Sequence, residues 1–438
     1  MGSNPTTGVG LDPKAPQTHA HEPRPAPIGS RSNMTERLAT SAEIEVAAAA
    51  AQRAGRLGID TEFMSEGRYR ALLCLVQVAV EDHASGSDGP TILLIDSLTD
   101  VDVSPLARLL GDPSIEIVLH AGRQDVAILR RAWQTEVNNI FDTQIAAGFA
   151  GQSAQSGYGN LLGSVLGLRV AKTASYTRWD ARPLTDEQLA YAAEDVLHLL
   201  ALADEIQARL ERSGRIEWAR EECRRLESAT DQRDPWTAWE RLPRSGQLDP
   251  RARAVARELA AWREQTASDL DRPVGSILAD PALVELAKRK PAAVDGLGQI
   301  RGLHPPVIKR RGQAILAAIA RGRDAEPIPR DEPRTRSEPG DAPLISLSEA
   351  LLRTRALEAG LAYELIASRA ELEQIVAATR RHDPEPSVRP LTGWRAELVG
   401  SDLRTLLQGR GTLSVGAKGR IVLTNSQSQS TPTAPASG

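Results

Sequence analysis

The chain has 438 residues, more than one hydrophobic core usually organises, so two or three domains are expected. With 41% hydrophobic and 25% charged residues it is neither fibrous nor wholly disordered, and a formal net charge of −4 excludes a uniformly basic surface. Aromatic residues make up only 3%, which leaves few rings for base stacking, and two isolated cysteines, Cys74 and Cys223, supply neither a disulfide framework nor a zinc-ligand spacing.

Residues 1–34 are rich in Pro, Gly, Thr and Asn without periodicity and read as a disordered tail, with Met34 a second candidate start. The N-terminus has no apolar signal core, and no run is long enough to span a bilayer, so a cytoplasmic protein without a membrane partner is expected. Short apolar or alternating runs at 56–62, 71–80, 91–96 and 115–120 predict strands. Helices are predicted at 122–133, 159–167 and 185–213, the last opened by Thr185 and closed into a capping box by Gln188. Strands first and helices interleaved later predict an α/β domain on a mixed sheet across 35–229. The remainder reads as entirely helical, in two parts. Residues 230–323 contain predicted helices at 249–266, 282–288 and 306–320. Residues 344–424 contain them at 346–359, 369–379 and 400–409. Between these parts, 324–343 alternates charges with prolines and reads as a linker that buries nothing, and 425–438 reads as a second tail.

Residue types that suit phosphodiester chemistry occur in the first part. On a strand, Asp60 and Glu62 project to one face while Ile59 and Thr61 face the other way. On a helix, Tyr191 and Asp195 share a face, and Asp125 stands near the start of a helix that follows a strand. Carboxylates held together repel, and a divalent cation removes that cost. Two hard cations ~3.5–4 Å apart can both activate a water and offset charge on a leaving oxygen, and oxygen ligands select Mg²⁺ or Mn²⁺. Each piece alone has a plainer reading, as a solvated strand edge, a surface hydrogen-bonded pair or a helix-start charge; the chemistry rests on their joint occurrence.

The segments Asp60-Thr61-Glu62-Phe63, His120-Ala121-Gly122 with Asp125, and Tyr191 with Asp195 resemble the three exonuclease motifs of the DEDD superfamily. Phe141-Asp142-Thr143-Gln144 and the run Lys172, Ser175, Trp179, Arg182-Pro183-Leu184-Thr185 resemble the ribonuclease D family in particular. Tyr at 191 and Ala at 190 place the resemblance in the tyrosine sub-class. Arg178, directly before Trp179, stands where many members of that family carry Asp, a departure that bears on substrate contact and not on the metal site. The resemblance covers about 40–226 and implies a ribonuclease-H-like exonuclease domain. It further implies Asp60, Glu62, Asp125 and Asp195 as ligands of two Mg²⁺ or Mn²⁺ ions and Tyr191 as the residue that positions water. The implied activity is 3′–5′ hydrolysis of RNA ends, releasing 5′-mononucleotides, with transfer RNA precursors as the implied substrate. His120 and His198 are expected in hydrogen-bonding or structural roles.

Residues 235–323 resemble the HRDC module through Trp236, Trp262-Arg263, Asp271-Arg272-Pro273 and Leu297-Gly298-Gln299-Ile300-Arg301-Gly302. Residues 344–424 resemble a second, HRDC-like helical domain, chiefly at Leu391-Thr392-Gly393-Trp394-Arg395. Between 249 and 323, 14 Lys and Arg stand against 8 Asp and Glu, a local excess of 6 positive charges. Candidate phosphate contacts are Lys288-Arg289-Lys290, Lys309-Arg310-Arg311 and Lys172, each of which also reads as an ordinary solvated charge. Trp236, Trp239 and Trp262 are expected in the core. Removal of 235–424 is expected to leave a folded nuclease that binds RNA more weakly. Two rival functions stay open: the same chemistry on DNA, and a catalytically silent RNA-binding scaffold, which the intact carboxylate set argues against. No protein partner is inferred.

Overall fold

Helix α1 (Ser41–Ala54) is closed by left-handed Gly55, and strands β1 (Arg56–Met64), β2 (Leu72–Val80) and β3 (Thr91–Asp96) follow. Next come α2 (Ser104–Gly111), β4 (Glu116–Leu119), α3 (Arg123–Ala132), β5 (Ile140–Asp142) and α4 (Thr143–Phe149). The structure, a computed structural model, describes residues 37–81, 89–169, 178–330 and 338–425. The strands form one sheet in the order β3-β2-β1-β4-β5, antiparallel from β3 to β1 and parallel from β1 to β5.

Both faces of the sheet are covered, which is why β2 reads as a nearly unbroken apolar run. Leu57, Ile59, Val76, Val78, Ile95 and Ile117 face α1, α2 and α3. Leu75, Ala79, Leu94 and Val118 face the other way. There the chain lays α5 (Tyr158–Leu161), a π-turn, α6 (Asp186–Leu197), α7 (Leu199–Arg212) and α8 (Ile216–Arg224). The predicted capping box is present: Thr185 N–H donates to Gln188 Oε1 at 3.0 Å and Gln188 N–H to Thr185 Oγ1 at 3.2 Å. The predicted single helix over 185–213 is two helices, broken at His198 (φ −109°, ψ 6°). The break lets α6 lie on β1, β2 and β3 while α7 lies on β1 and β4. The three-residue β5 also went unpredicted.

The helical region that follows is built on α9 (Pro250–Asp269), capped by Asp249, with Asp280–Arg289 and Pro305–Asp324 packed against it around Leu259, Leu283, Leu286 and Ile315. Trp239 is core, as expected, whereas Trp262 is only partly buried, packed against that core. Trp236 is not core: it is 54% exposed, with the Arg257 guanidinium 5.9 Å from its ring. The expected linker does not begin as a free segment, because Ile328 N–H donates to Pro250 O at 3.0 Å and Arg253 donates to Pro329 O at 2.7 Å. Residues 331–337 and both tails lie outside the described residues.

The last part holds helices Asp341–Ala359, Arg369–Arg381 and Ser401–Leu407. It closes, against the all-helical expectation, with a hairpin of β6 (Gly411–Val415) and β7 (Ile421–Asn425). It shares a core with the sheet region. Trp394 is buried edge-on to Phe149 at 5.0 Å and stacked on Trp218 at 5.3 Å. Buried Arg395 pairs with Glu222 at 2.5 Å and donates to Leu365 O at 2.6 Å. Gly393 has φ 54°, a left-handed conformation that favours glycine, and a Cβ there would push aside the Glu221 carboxylate that accepts from Trp394 N–H. Removing 235–424 would strip these residues from Phe149, Trp218 and Glu222, which corrects the expectation of a clean excision. Trp394→Ala is expected to destabilise the full chain by about 3–5 kcal/mol, the range for a fully buried tryptophan, read by chemical denaturation.

Candidate active site

The chemistry-bearing residues meet where β1 outruns β4. The parallel pairing ends at Gly58 opposite Val118, so Asp60 and Glu62 project from β1 beyond the end of its neighbour. There β4 gives way to His120-Ala121-Gly122 and α3 begins, with Asp125 in its first turn. This turn is tight: Ala121 has φ 55°, and a Cβ on Gly122 would lie 2.7 Å from Leu119 Cβ. The Asp142 carboxylate secures it, accepting the N–H groups of Ala121 at 3.2 Å and Gly122 at 2.8 Å while also capping α4. Asp125, only 7% exposed, accepts a hydrogen bond from the Thr61 hydroxyl on the β1 face opposite Asp60. Sequence reasoning assigned no task to Thr61 or to the Asp142 carboxylate. Alternation on β1 could have pointed to the first; the second depends on tertiary structure.

From the other side, α6 delivers Asp195 and Tyr191. The Tyr191 hydroxyl bonds the Asp195 carboxylate, and its ring packs 6.1 Å from that of buried Trp179. Arg182 fastens this approach, donating to both oxygens of buried Asp96 and to Cys74 O and Trp179 O. Burial alone would raise Asp96, but the Arg182 hydrogen bonds, the Leu98 N–H and the Arg182 charge together outweigh it and hold the carboxyl below the usual range. Exposed Arg178 pairs with partly buried Asp180 at 3.0 Å.

The four carboxylates share one electrostatic neighbourhood. Burial, then the charges of Asp125, Asp195 and Glu62, push Asp60 well above the carboxylate range. Burial and the charges of Asp195 and Asp125 raise Glu62 to about 8. Burial and Glu194 raise Asp195 to about 7, against the opposing Tyr191 hydrogen bond, and burial raises Asp125 despite its bond from Thr61. No ion pair joins any of the four to a lysine or arginine among the described residues. Also among the described residues, no three His, Cys, Asp or Glu side chains already close on one point as a bound ion would hold them. The donor set, all oxygen and without a basic partner among the described residues, fits a hard divalent cation.

Carboxyls whose folded pKa exceeds the unfolded value hold their protons more tightly in the folded state. Stability is therefore full below the unfolded pKa and falls as pH rises through the folded values, about 7 for Asp195 and about 8 for Glu62. The metal-free protein is expected to melt at a lower temperature at pH 8.5 than at pH 5.5, with a smaller drop in Glu62→Gln. Equal drops in melting scans with chelator would contradict this.

His120 has the expected hydrogen-bonding role: its Nδ1 lies 2.9 Å from Thr143 Oγ1, which itself donates to Leu119 O at 3.0 Å. His198 marks the α6–α7 junction. Lys172 lies outside the described residues. The two basic clusters differ internally. Arg289 pairs with Glu285, Lys290 with Asp249 at 3.6 Å, and Arg311 donates to Ile277 O at 3.1 Å. Lys288, Lys309 and Arg310 are exposed and have no ion pair among the described residues. The loop after β1 also meets the helical module: Tyr69 OH donates to Glu264 at 2.8 Å and Arg68 pairs with Asp271 at 2.6 Å.

The chain is similar to known proteins in both sequence and fold. A 3′–5′ exonuclease family model matches residues 36–211 and an HRDC domain model matches residues 252–319. Ribonuclease D of Gluconacetobacter diazotrophicus is 36% identical over 366 residues, covering 82% of this chain and 89% of the relative. Ribonuclease D of Nitrobacter hamburgensis is 35% identical over 390 residues, covering 88% and 98%. The crystal structure of Escherichia coli RNase D, described as an exoribonuclease involved in structured RNA processing, superposes with a TM-score of 0.73 at 29% identity. It covers 85% of this chain and 98% of its own. On this sequence and structural kinship, with the carboxylates gathered at the end of β1, the chain belongs to the ribonuclease D family of 3′–5′ exoribonucleases.

Proposed function

We propose that this exoribonuclease trims RNA 3′ ends one 5′-mononucleotide at a time, with Asp60, Glu62, Asp125 and Asp195 holding two Mg²⁺ or Mn²⁺ ions and Tyr191 orienting the attacking water. The observation that carries the reading is the gathering of four carboxylates from β1, α3 and α6 with no basic side chain to neutralise them among the described residues. Ions bound there would lower the pKa of a water and offset charge on the leaving 3′ oxygen. The chain's own residues supply position. The strand fixes Asp60 and Glu62, the Thr61 hydroxyl aims Asp125, and the Tyr191 hydroxyl stands beside Asp195.

The reading divides the chain into a hydrolytic domain at 35–229 and two helical domains at 230–323 and 344–424, working in the cytoplasm. Lys172 and the clusters Lys288-Arg289-Lys290 and Lys309-Arg310-Arg311 contact phosphates in this proposal. The bonds of Arg68 and Tyr69 to the helical module tie a strand held there to the β1 carboxylates. By likeness to the E. coli enzyme, the substrates proposed are structured RNAs; transfer RNA precursors, which the sequence resemblance implies, are the members of that class we propose. Lys309→Ala with Arg310→Ala is expected to reduce the slope of log Kd for single-stranded RNA against log salt by about 0.7 for each phosphate no longer neutralised, with single-turnover rate at saturation unchanged. An unchanged slope would remove both residues from the RNA interface.

Matched 5′-end-labelled RNA and DNA, incubated with the full chain with and without Mg²⁺ or Mn²⁺, test the function. Stepwise shortening of RNA from its 3′ end, much faster than of DNA, is expected. Equal or faster shortening of DNA would favour the DNA reading, and RNA binding without cleavage would leave the silent scaffold.

A further inference from the structure

Strand β2, Leu-Leu-Cys-Leu-Val-Gln-Val-Ala-Val, is apolar except at Gln77. Gln77 is completely buried, and neither its amide nitrogen nor its amide oxygen has a hydrogen-bond partner among the described residues. A buried amide left unpaired is costly, and an apolar side chain of the same size would suit this strand better if packing were the only demand. The position of Gln77 suggests what else is demanded. In the antiparallel pairing of β1 with β2, Gln77 stands directly opposite Asp60. Directly opposed residues project from the same face with Cβ atoms about 4.5–5.5 Å apart. The other residues directly beside it on this face are apolar, Leu75 and Ala79 along β2 and Leu94 across the ladder on β3; the carboxylates of Glu62 and Asp96 share the face only at diagonal positions, and Asp96 is taken by Arg182. Asp60 is thus the hydrogen-bonding side chain directly opposite Gln77.

We propose that Gln77 is a positioning residue for Asp60, its amide nitrogen donating to the Asp60 carboxylate oxygen turned away from the metal. The inference rests on the assignment of Asp60 as a metal ligand. A carboxylate ligand can rotate about its own bonds, and a donor on its outer oxygen fixes the orientation in which the inner oxygen meets the ion. Loss of such outer partners typically weakens metal affinity or activity about 10–100-fold. Gln77 donates from a central strand paired on both edges, so the donor itself is rigidly held.

Gln77→Met tests this, because it removes the amide while nearly preserving length and volume. In the full chain, Mn²⁺ affinity measured by calorimetry or paramagnetic resonance is expected to fall about 10–100-fold. Melting of the metal-free variant should stay at or above wild type, since an unpaired amide has been deleted. In an Asp60→Asn background, Gln77→Met should have no further effect on Mn²⁺ affinity. Mn²⁺ affinity unchanged by Gln77→Met but weakened by Asp60→Asn would overturn the proposal and leave the metal site standing. Affinity unchanged by Asp60→Asn as well would overturn both. Should Gln77→Met not fold, the wild-type chain crystallised with Mn²⁺ decides. Gln77 Nε2 within about 3.2 Å of an Asp60 oxygen is the expected result, and an amide bonded only to ordered water overturns it.

Discussion

Asp60→Asn is expected to lower single-turnover RNA hydrolysis by at least about 10³-fold while leaving the fold and RNA binding intact. Metal-ion stabilisation of the transition state is worth several kcal/mol, and each ~1.36 kcal/mol is tenfold in rate. Asp60 is the carboxylate on which the other three bear most plainly: its neutral form is favoured by burial and by the charges of Asp125, Asp195 and Glu62. Asparagine keeps the size and removes that repulsion, so metal-free Asp60→Asn should melt at or above the wild-type temperature. A loss of activity together with a loss of stability would mean that the residue serves the fold. Activity above one tenth of wild type would mean that Asp60 does not hold a required ion. Asp195→Asn should behave in the same way, because Asp195 joins the cluster from a different element, α6.

Tyr191→Phe is expected to lower kcat about 10²-fold with RNA affinity nearly unchanged. The hydroxyl is bonded to Asp195, while the ring is held against Trp179, so phenylalanine keeps the packing and the four carboxylates and removes only the hydroxyl. What disappears is orientation of the nucleophile, which matters mainly in the transition state and so appears in kcat. A purely structural tyrosine would show a small change in stability and a kcat within twofold of wild type. Single-turnover rates at saturating Mg²⁺ separate the two outcomes.

Much of this site was legible in the sequence because it depends on local periodicity. Period two on β1 puts Asp60 and Glu62 together, and the Thr185–Gln188 capping box marks where α6 begins and hence which face carries Tyr191 and Asp195. What could not be read depends on partners distant in the chain. The break at His198 is hidden because Leu197, Leu199 and Leu200 continue the apolar pattern of the helix before it. The pairing of Arg395 with Glu222, which docks the last helical part onto the sheet region, joins residues 173 positions apart. The hairpin of β6 and β7 left a fainter sign: Thr-Leu-Ser-Val and Ile-Val-Leu-Thr flank a glycine-containing turn, a strand-like pattern in a region otherwise read as helical. Gln77 was visible all along as the one polar residue in a central apolar strand, but its meaning came only from the register that sets it against Asp60.

A catalytic metal site makes cleavage depend on added divalent cation. The full chain, freed of metal by chelator and mixed with 5′-end-labelled RNA, is predicted to bind the RNA without shortening it. Titration with Mg²⁺ or Mn²⁺ should then restore stepwise release of 5′-mononucleotides in the wild type but not in Asp60→Asn. RNA shortened at an undiminished rate in chelator, or metal rescue that is equal in Asp60→Asn, would contradict the assignment of these carboxylates as the ligands of a catalytic metal site.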